Sequence, residues 1–344
     1  MDVAWLASDA TTPAAAGGMR AIPVKSWNVT ERAFGVPWPL LGPSAVARIW
    51  REAKAADAVL LHDALYMTSI VTAAAARAHR KPLLVVQHIG SVPYRNPLLK
   101  ALMAIGNACV ARPILAGASQ VVFISQFVRD YFGAVRFRRP PVLIFNGVDP
   151  RVFRPADAGE RDAARATLGF GPDDRVALFV GRFVEKKGVE LLRRVAQARP
   201  QATFAFAGWG VIDPAAWKLP NVRVFSGLAG ERLAALYQAS DVFVLPSQGE
   251  GFPLVVQEAL ACGLPVVCGA ETTTADPCAA EHLRGVNVAG DAYAASQRVA
   301  DALDTALAEA SPETAARRAA FAKTRYSWSA AADRYAAVLT GLAA

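Results

Sequence analysis

Cysteine is scarce in this sequence and never occurs at the spacing of a metal-binding or redox pair. The chain has four cysteines, and none forms a Cys-x-x-Cys motif: Cys109, Cys262, Cys268 and Cys278. This pattern excludes a disulfide-rich scaffold and argues against a cysteine-based zinc site. Reduced thiols in a cytosolic protein are therefore the default prediction.

The sequence also lacks a leader-like start and a long unbroken apolar run. Its opening residues, MDVAWLASDATTP, have no basic segment before an apolar one and are not predicted to form a signal peptide. The longest apolar-rich stretch, Pro97 to Ala118, is interrupted by Lys100, Asn107, Arg112 and Pro113. It is predicted to be a buried or surface-lying helix and not a membrane span.

The overall composition is that of a large folded protein. Hydrophobic residues make up 53% of the 344 residues, charged residues 19%, and the mean hydropathy is +0.25. These values exclude a disordered or collagen-like chain, and the length suggests two domains, with one large domain as the alternative. The net charge of +8 and the pI near 9.5 favour anionic partners: nucleotides, phosphorylated lipids, a membrane surface or nucleic acid.

Short apolar runs alternate with helical patterns along the whole chain. Most runs have four to eight residues without polar alternation, which is typical of strands buried on both faces of a parallel sheet. The runs are Val3–Ser8, Ala21–Trp27, Ala58–His62, Leu83–His88, Gln120–Ser125, Val142–Phe145, Val176–Phe183, Thr203–Gly208, Val222–Phe225, Val242–Pro246, Pro265–Cys268 and Gly285–Val288. Helical periodicity lies between them, for example in 43–54, 68–79, 189–198, 231–239 and 294–309. The predicted fold is α/β, with doubly wound domains at 1–150 and 151–322 and a final helical segment at 323–344.

The segment from Gln248 to Pro265 carries two carboxylates around a predicted helix start. It follows the strand Val242–Pro246, and Pro253 suits the first turn of a helix. Glu250 then lies in the loop before the helix and Glu258 about one turn inside it. The helix N-terminus suits a phosphate or a polar sugar, and the carboxylates suit hydroxyl groups. The alternative is a helix-dipole partner at Glu250 and a solvated residue at Glu258.

A second segment, Phe179 to Gly188, places cations after a strand. The strand is predicted to end at Gly181, and a basic loop leads to a helix near Val189. Arg182 and Lys187 would lie at the carboxyl end of the strand, as a diphosphate requires, whereas Lys186 is predicted to be solvated. The alternative is a turn with ordinary surface charges, and the Walker A spacing is absent.

Together these segments resemble the retaining glycosyltransferases of family four, which have the GT-B fold. The matching motifs, in the family's order, are Asn146-Gly-Val-Asp149, Gly-Arg-Phe-x-x-Lys-Lys-Gly188, Asp241-Val-Phe-Val-Leu-Pro-Ser247, Glu250-x7-Glu258 with its Gly-Phe-Pro, and Arg325-Tyr-Ser-Trp328. The resemblance implies two Rossmann-like domains facing a central cleft, the first on the acceptor side and the second binding the nucleotide sugar. It also implies that the last helix, about 329–342, crosses back to the first domain.

The resemblance assigns the donor side of a site to the second domain. Glu250 would bind hydroxyls of the donor sugar, Glu258 the ribose, and Arg182 with Lys187 the diphosphate. Backbone N–H groups of Gly251 and Phe252 would assist at the sugar or phosphate. The other expected donor-binding residues are Gly181, Pro253 and Leu254. No metal and no cofactor is implied, because the fixed cations act where charge develops. Sugar transfer with retention would follow a front-face path in which the donor phosphate helps to deprotonate the acceptor.

The first domain supplies further candidates. His88 follows the strand Leu83–His88, where the family has a histidine facing the donor sugar, although a lone histidine is more often structural. His62 and Asp63 end the preceding strand and are candidates for the acceptor side. Arg129 would face an anionic acceptor.

The start of the chain departs from the family pattern. Asp2–Ser8 resembles the family's second strand, and Gly17-Gly18 comes too late to be the Gly-rich loop, with no helix after it. The first strand, its loop and the next helix are therefore expected to be missing, about thirty to forty residues. An upstream translation start and a natural loss of activity are the two hypotheses. In either case the chain is expected to be less stable and weakly active or inactive.

Four functions remain open from the residues and the resemblance. The leading one is a nucleotide-sugar-dependent, retaining glycosyltransferase with a glycan or lipid-linked acceptor, cytoplasmic or peripheral on the cytosolic face of a membrane. The basic, apolar stretch Tyr94–Arg112 motivates the membrane contact, its alternative being a core helix. A non-catalytic sugar-nucleotide-binding protein and a GT-B epimerase are the next alternatives. Nucleic-acid binding is supported by the pI alone, since no known binding module is present.

Overall fold

The computed structural model describes residues 2–8, 18–27, 39–90 and 96–343, and these form two compact units. Unit 1 comprises Met1–Ile124, Val128–Ile144 and Tyr335–Ala344. Unit 2 comprises Ser125–Phe127 and Phe145–Arg334. The main division thus falls shortly before the predicted boundary at 150/151, and the end of the last helix is assigned to unit 1.

Within the described residues, the strands of unit 1 belong to three sheets. They are β1 (Val3–Ser8), β2 (Met19–Val24), β3 (Ser26–Trp27), β4 (Leu40–Leu41), β5 (Val59–His62), β6 (Leu83–Gln87), β7 (Gln120–Phe123) and β8 (Val142–Leu143). A parallel pair β1-β2 and an antiparallel pair β3-β4 accompany a parallel sheet with the order β5-β6-β7-β8. The residues of β6 and β7 are buried on both faces, as the lack of polar alternation in their sequences predicts.

Unit 2 is built on a parallel sheet with a reversal of winding. Its strands are β9 (Arg175–Phe183), β10 (Ala202–Gly210), β11 (Val222–Phe225), β12 (Val242–Leu245), β13 (Val266–Gly269) and β14 (Leu283–Val286). Their order across the sheet is β11-β10-β9-β12-β13-β14. The chain therefore extends from β9 in one direction and restarts at β12 in the other. In doubly wound sheets, ligands bind at the carboxyl ends of the strands flanking this switch point.

Helices connect most of these strands. They are α1 (Pro43–Ala55), α2 (Met67–Ala78), α3 (Pro97–Gly106), α4 (Arg112–Gly117), α5 (Gln126–Tyr131), α6 (Ala158–Leu168), α7 (Val189–Ala198), α8 (Glu231–Ala239), α9 (Leu254–Ala261), α10 (Ala270–Thr273), α11 (Ala292–Ala308), α12 (Pro312–Arg325) and α13 (Trp328–Ala343). A π-helical segment, Asn107–Ala111, joins α3 to α4. The α/β class and the parallel sheets predicted from the alternating pattern are confirmed.

Two expectations from the sequence need correction. The run Ala21–Trp27 is not one strand, because Lys25 separates β2 from β3, which pairs antiparallel with β4. The segment 312–325 forms α12, capped by Ser311, so the boundary expected at 322/323 falls inside a helix. Helix α3 contains no buried residue, so of the two options predicted for this stretch, a buried or a surface-lying helix, the surface-lying one applies to Pro97–Gly106. Gly17 and residues 91–95, including Tyr94, lie outside the described residues.

Candidate functional site

An ion pair lies at the switch point of unit 2, where the ends of β9 and β12 meet. The Nζ atom of Lys187, in the turn after β9, is 3.1 Å from Oε2 of Glu250, in the loop after β12. Both side chains are largely buried, with about one seventh of each exposed. Lys186 is more exposed but also approaches Glu250, with its Nζ 3.5 Å from Oε1. The prediction that Lys186 is solvated is confirmed by its exposed side chain, although its Nζ also lies within ion-pair distance of this carboxylate.

A close backbone approach brings these two loops together. Gly188 has a φ of 75°, and a Cβ atom there would lie 2.4 Å from the carbonyl oxygen of Pro246. Only glycine accepts both the left-handed conformation and this contact. The amide of Gln248 also donates to the carbonyl oxygen of Lys186 over 3.0 Å. The local backbone thus fixes the cations beside Glu250.

Arg182 lies in a strand and not in the loop that the sequence predicts. Strand β9 continues beyond Gly181 to Phe183 because β10 is equally long and pairs with it to its end, with Arg182 opposite Trp209. The Arg182 guanidinium lies 5.1 Å from the centre of the exposed Trp209 ring. Within the described residues, no hydrogen bond or ion pair joins Arg182 to Lys187 or Glu250. The structure therefore places Arg182 at the same strand end without bringing it into the ion pair.

The loop before α9 is anchored by an aromatic side chain. Helix α9 begins at Leu254, with Pro253 as its N-cap residue and no side-chain cap. The ring of Phe252 is buried between Phe145 and Tyr326, at centroid distances of 5.7 and 5.4 Å. The backbone of half-buried Gly251 and the helix start are held by this anchor. The uncapped N-terminus provides amide donors and a positive dipole.

Glu258 is buried in α9 and held by a tyrosine. It lies one turn after the helix start, as predicted, but only 7% of it is exposed. Its Oε2 accepts a 2.9 Å hydrogen bond from the hydroxyl of fully buried Tyr237 on α8. Burial raises the pKa of Glu258, and the Tyr237 hydrogen bond partly opposes this shift. A solvated role for Glu258 is therefore excluded.

Two histidines meet at the carboxyl ends of neighbouring strands in unit 1. His62 ends β5 and His88 directly follows β6, and these strands are paired in parallel. Nδ1 of His62 lies 2.8 Å from Nε2 of His88, so one nitrogen donates a proton to the other. Desolvation lowers the pKa of both rings, and the charge of His88 lowers the pKa of His62 further. The pair therefore favours two neutral imidazoles with one shared proton.

Asp63 fixes the loop that carries His88. Its backbone is left-handed, with a φ of 55°, and its Oδ1 accepts hydrogen bonds from the amides of His88 and Ile89 over 2.8 and 3.2 Å. Burial raises the pKa of Asp63, and these two amides oppose the shift. Buried Gln87 accepts from the amide of Ala64 and donates to the carbonyl oxygen of Ile89. Asp63 thus binds backbone amides of the loop, whereas the two imidazoles are hydrogen-bonded to each other through their side chains.

Arg129 is placed apart from the histidine pair. It lies half-buried on α5, in the part of the chain assigned to unit 1. No hydrogen bond or ion pair between Arg129 and His62, Asp63 or His88 occurs within the described residues. Its role toward an anionic acceptor stays a prediction.

Two sequence-family models match successive parts of the chain. The model described as Glycosyltransferase Family 4 matches residues 3–152, and the model described as Glycosyl transferases group 1 matches residues 160–325. Together they account for nearly all of the chain, and each match lies largely within one half of it. The chain belongs to glycosyltransferase family 4.

Curated relatives of this family 4 member are D-inositol 3-phosphate glycosyltransferases. The enzyme from Mycobacteroides abscessus is 38% identical over 37% of this chain and 31% of its own length. The enzyme from Mycolicibacterium smegmatis is 32% identical over 51% of this chain and 43% of its own length. The enzyme from Segniliparus rotundus is 33% identical over 57% and 46%. The matched part spans about a third to a half of the length of these relatives.

Solved structures establish the fold of this family 4 member. Anabaena HepE in complex with UDP superposes with a TM-score of 0.70 at 20% identity, covering 94% of this chain and 86% of that one. Sucrose-phosphate synthase from Thermosynechococcus elongatus gives a TM-score of 0.72 at 20% identity, covering 97% and 86%. The expected GT-B fold is therefore confirmed.

Several motif residues of this family 4 member support the site without being in the ion pair. Asp241 accepts hydrogen bonds from Arg161 and from the amide of Val176, and so ties α6 to the starts of β9 and β12. The amide of Val148 donates to the carbonyl oxygen of Tyr326, and that of Trp328 donates to Val148. The Asn-Gly-Val-Asp and Arg-Tyr-Ser-Trp motifs are thus joined beside the Phe252 anchor.

Sequence reasoning missed the residues that position the candidates. Tyr237 lies in an ordinary amphipathic pattern, and nothing in the sequence indicates its contact with Glu258. Trp209 also carries no signal. Gln87 interrupts an apolar run, and that interruption is the one signal that pointed to it.

Proposed function

We propose that this protein is a retaining, metal-independent hexosyltransferase that transfers a sugar from a nucleotide diphosphate donor to a glycan or lipid-linked acceptor. The observation that carries the proposal is the Lys187–Glu250 pair at the switch point of unit 2. A carboxylate can accept hydrogen bonds from sugar hydroxyls and a cation beside it can bind a diphosphate, and both lie at the sheet edge where doubly wound domains bind their ligands.

The donor would displace the internal ion pair. Its diphosphate takes over Lys187, with Arg182 as a further cation, while Glu250 accepts hydrogen bonds from the sugar hydroxyls. The uncapped start of α9 faces the remaining negative charge with amide donors. Glu258, held by Tyr237, accepts from the ribose.

In the proposed reaction the bond between the anomeric carbon and the diphosphate oxygen breaks, and a bond to the acceptor oxygen forms on the same face. The acceptor proton goes to the departing diphosphate oxygen. Lys187 and Arg182 stabilise the charge that develops there, which is the contribution that a metal ion makes in other transferases. His88 would contact the donor sugar, with its tautomer set by His62.

The acceptor proposal starts from the relatives. Three of them are named for D-inositol 3-phosphate, so a phosphorylated polyol belongs in the acceptor panel beside lipid-linked glycans. Arg129 would face the anionic group of such an acceptor. A cytosolic location, in solution or at the membrane face, is part of the same proposal.

The test is nucleotide release with a panel of nucleotide sugars, beginning with UDP-glucose, which is bound by one structural relative. The wild-type protein should release nucleotide with one donor, also in the presence of EDTA, and the product linkage should retain the anomeric configuration. Glu250→Gln and Lys187→Ala should each reduce release by about two to three orders of magnitude.

Lys186→Ala is the matched control. Lys186 neighbours Lys187 and contacts the same carboxylate, but its side chain is 47% exposed and its contact is longer. Its loss should therefore cost about tenfold or less. Equal effects of the two lysine variants would contradict the assignment. Donor binding without any transfer or hydrolysis would instead support the non-catalytic alternative.

A further inference from the structure

Helix α3 exposes a broad apolar surface. Leu98, Leu102 and Ile105 are 65%, 54% and 58% exposed, and their spacing places them along one side of the helix. Among the described residues, one helical stretch, Pro97–Gly117, is long and apolar enough to cross a membrane, and only 17% of its most apolar part is buried. Contiguous apolar surface of this kind marks an interaction site in a folded protein.

The exposed part of this stretch is too short to span a bilayer. Asn107, Ala111 and Leu115 are buried in unit 1, so only α3, ending at Gly106, stands clear of the packed interior. Ten helical residues extend about 15 Å, half of the ~30 Å hydrocarbon thickness. Helix α3 therefore suits shallow insertion along an interface.

The positive charge of the protein is concentrated in the same part of the chain. Residues 64–148 contain ten of the 37 Lys and Arg residues but only one of the 29 Asp and Glu residues, Asp130. This segment carries a charge of +9, and the rest of the chain carries −1. Of the nine basic side chains of this segment that the structure describes, six are exposed: Arg77, Arg80, Lys100, Arg136, Arg138 and Arg139. An apolar helix within a basic region complements a surface with both acyl chains and negative headgroups.

We propose that α3 docks unit 1 onto an anionic lipid bilayer, with Leu98, Leu102 and Ile105 inserted at the headgroup boundary and Lys100 reaching the headgroups. A lipid surface fits better than a second copy of the chain, because two copies of a +9 segment repel each other. The proposal does not depend on sugar transfer, and its test uses binding alone.

The base of this helix is joined to the loop after β6. The Nδ2 of Asn107, in the π-helical segment, donates to the carbonyl oxygen of Gly90 over 2.8 Å and to the hydroxyl of Tyr131 over 2.9 Å. Gly90 is two residues after His88 and packs against Tyr131, where a Cβ atom would lie within 2.9 Å of the ring. Docking of α3 would thus hold the loop that carries His88 near the lipid surface.

The experiment is co-sedimentation of the full chain with vesicles of phosphatidylcholine alone or mixed with phosphatidylglycerol. The wild-type protein should bind the mixed vesicles, less strongly at high salt, and bind the neutral ones weakly. The double variant Leu98→Ser, Ile105→Ser should bind at least about tenfold more weakly. Its control is Val211→Ser, Tyr293→Ser, which removes two large side chains of unit 2 that are at least as exposed, and it should bind like wild type.

A charge reversal tests the second half of the proposal. Lys100→Glu should weaken binding to the mixed vesicles by about tenfold, whereas Lys218→Glu, an exposed lysine of unit 2, should have little effect. Wild-type protein that ignores anionic vesicles, or an α3 double variant that binds them normally, would overturn the proposal. A dimer in light scattering that the same double variant abolishes, without vesicle binding, would assign the surface to a second copy instead.

Discussion

The two units each place a pair of polar side chains at the carboxyl ends of neighbouring parallel strands, but they treat charge in opposite ways. In unit 2, Lys187 and Glu250 are oppositely charged and neutralise each other across 3.1 Å. In unit 1, His62 and His88 lie 2.8 Å apart, and desolvation lowers the pKa of both rings, which favours their uncharged forms.

This difference in charge indicates that the two pairs have different functions. A ligand that carries a negative charge and hydroxyl groups can open an ion pair. The lysine then binds the negative charge of the ligand, and the glutamate accepts hydrogen bonds from its hydroxyls. Two neutral imidazoles cannot offer a fixed charge, but they define which nitrogen carries the proton. Charge binding is thus expected in unit 2 and proton orientation in unit 1.

The largest expected effect is on the rate of nucleotide release, and it tests whether Lys187 and Glu250 are functionally coupled. Lys187→Ala and Glu250→Gln should each lower the rate of nucleotide release by about two to three orders of magnitude, and the double variant should be little worse than either. Steady-state rates of the four proteins measure the coupling. Fully multiplicative losses would show that the two side chains work independently.

The second largest effect is expected on stability, when the close backbone contact that supports the ion pair is disturbed. Gly188→Ala adds a side chain at a φ of 75° and 2.4 Å from the Pro246 oxygen, so it should lower the free energy of unfolding by about 3 kcal/mol. Gly227→Ala is the control, because its φ of 68° is similar but nothing lies within 4 Å of the new Cβ atom. It should cost about 1 kcal/mol, measured by denaturant unfolding. Equal losses would show that the contact with Pro246 is unimportant.

A smaller, graded effect is expected in the histidine pair. His88→Gln should reduce turnover by about a hundredfold, and His62→Gln by about tenfold, since His62 acts by positioning His88. The pH profile separates a positioning role from a structural one, because His62→Gln should shift its acid limb while leaving donor affinity nearly unchanged. A change in affinity with an unmoved acid limb would contradict this role.

The tyrosine behind Glu258 should affect stability and donor binding differently. Tyr237→Phe leaves a buried carboxylate without its donor and should lower the free energy of unfolding at neutral pH by about 2 kcal/mol. Glu258→Gln removes the buried charge, so its stability should match or exceed that of wild type while donor affinity falls. Calorimetry with and without donor distinguishes the two variants. A strongly destabilised Glu258→Gln would show that the charge itself stabilises the fold.

The smallest effect concerns acid stability. Both histidine pKa values are lowered from 6.5 in the folded protein, so the unfolded chain binds protons first. The contribution of the pair is complete above pH 6.5 and is lost as the pH falls through the lowered folded pKa values. Unfolding measured across this range should show a decline that the His62→Gln, His88→Gln double variant lacks. An identical decline in both proteins would assign it to other groups.

The sequence predicted the strands of unit 2 well because each is a short apolar run between turns. Val222–Phe225 and the helices 189–198 and 231–239 have the predicted bounds. The predicted end of β9 at Gly181 was wrong, because the length of this strand is set by its pairing with β10 and not by local composition. Helix α12 was missed because its sequence is mostly alanine and charge, without a clear apolar stripe.

For the candidate site, the sequence predicted the residues but not their contacts. Residue types at strand ends identified Glu250, Lys187, His62 and His88 without showing which of them touch. The burial of Glu258 depends on Tyr237, which is 21 residues away, and no local pattern contains that information. Asp241 belongs to a motif that carries the family resemblance, but its observed role is structural, because it joins α6 to the starts of β9 and β12.

By itself the sequence determined the elements of this protein and the chemistry available at their ends, because apolar periodicity and turn residues act locally. Only the tertiary structure decided the strand order, which places the switch point between β9 and β12 and brings Lys187 to Glu250. It also decided that β5 lies beside β6, which joins two histidines 26 residues apart into one proton-sharing pair. Such pairings depend on how the sheet is assembled, and non-neighbouring segments meet only then.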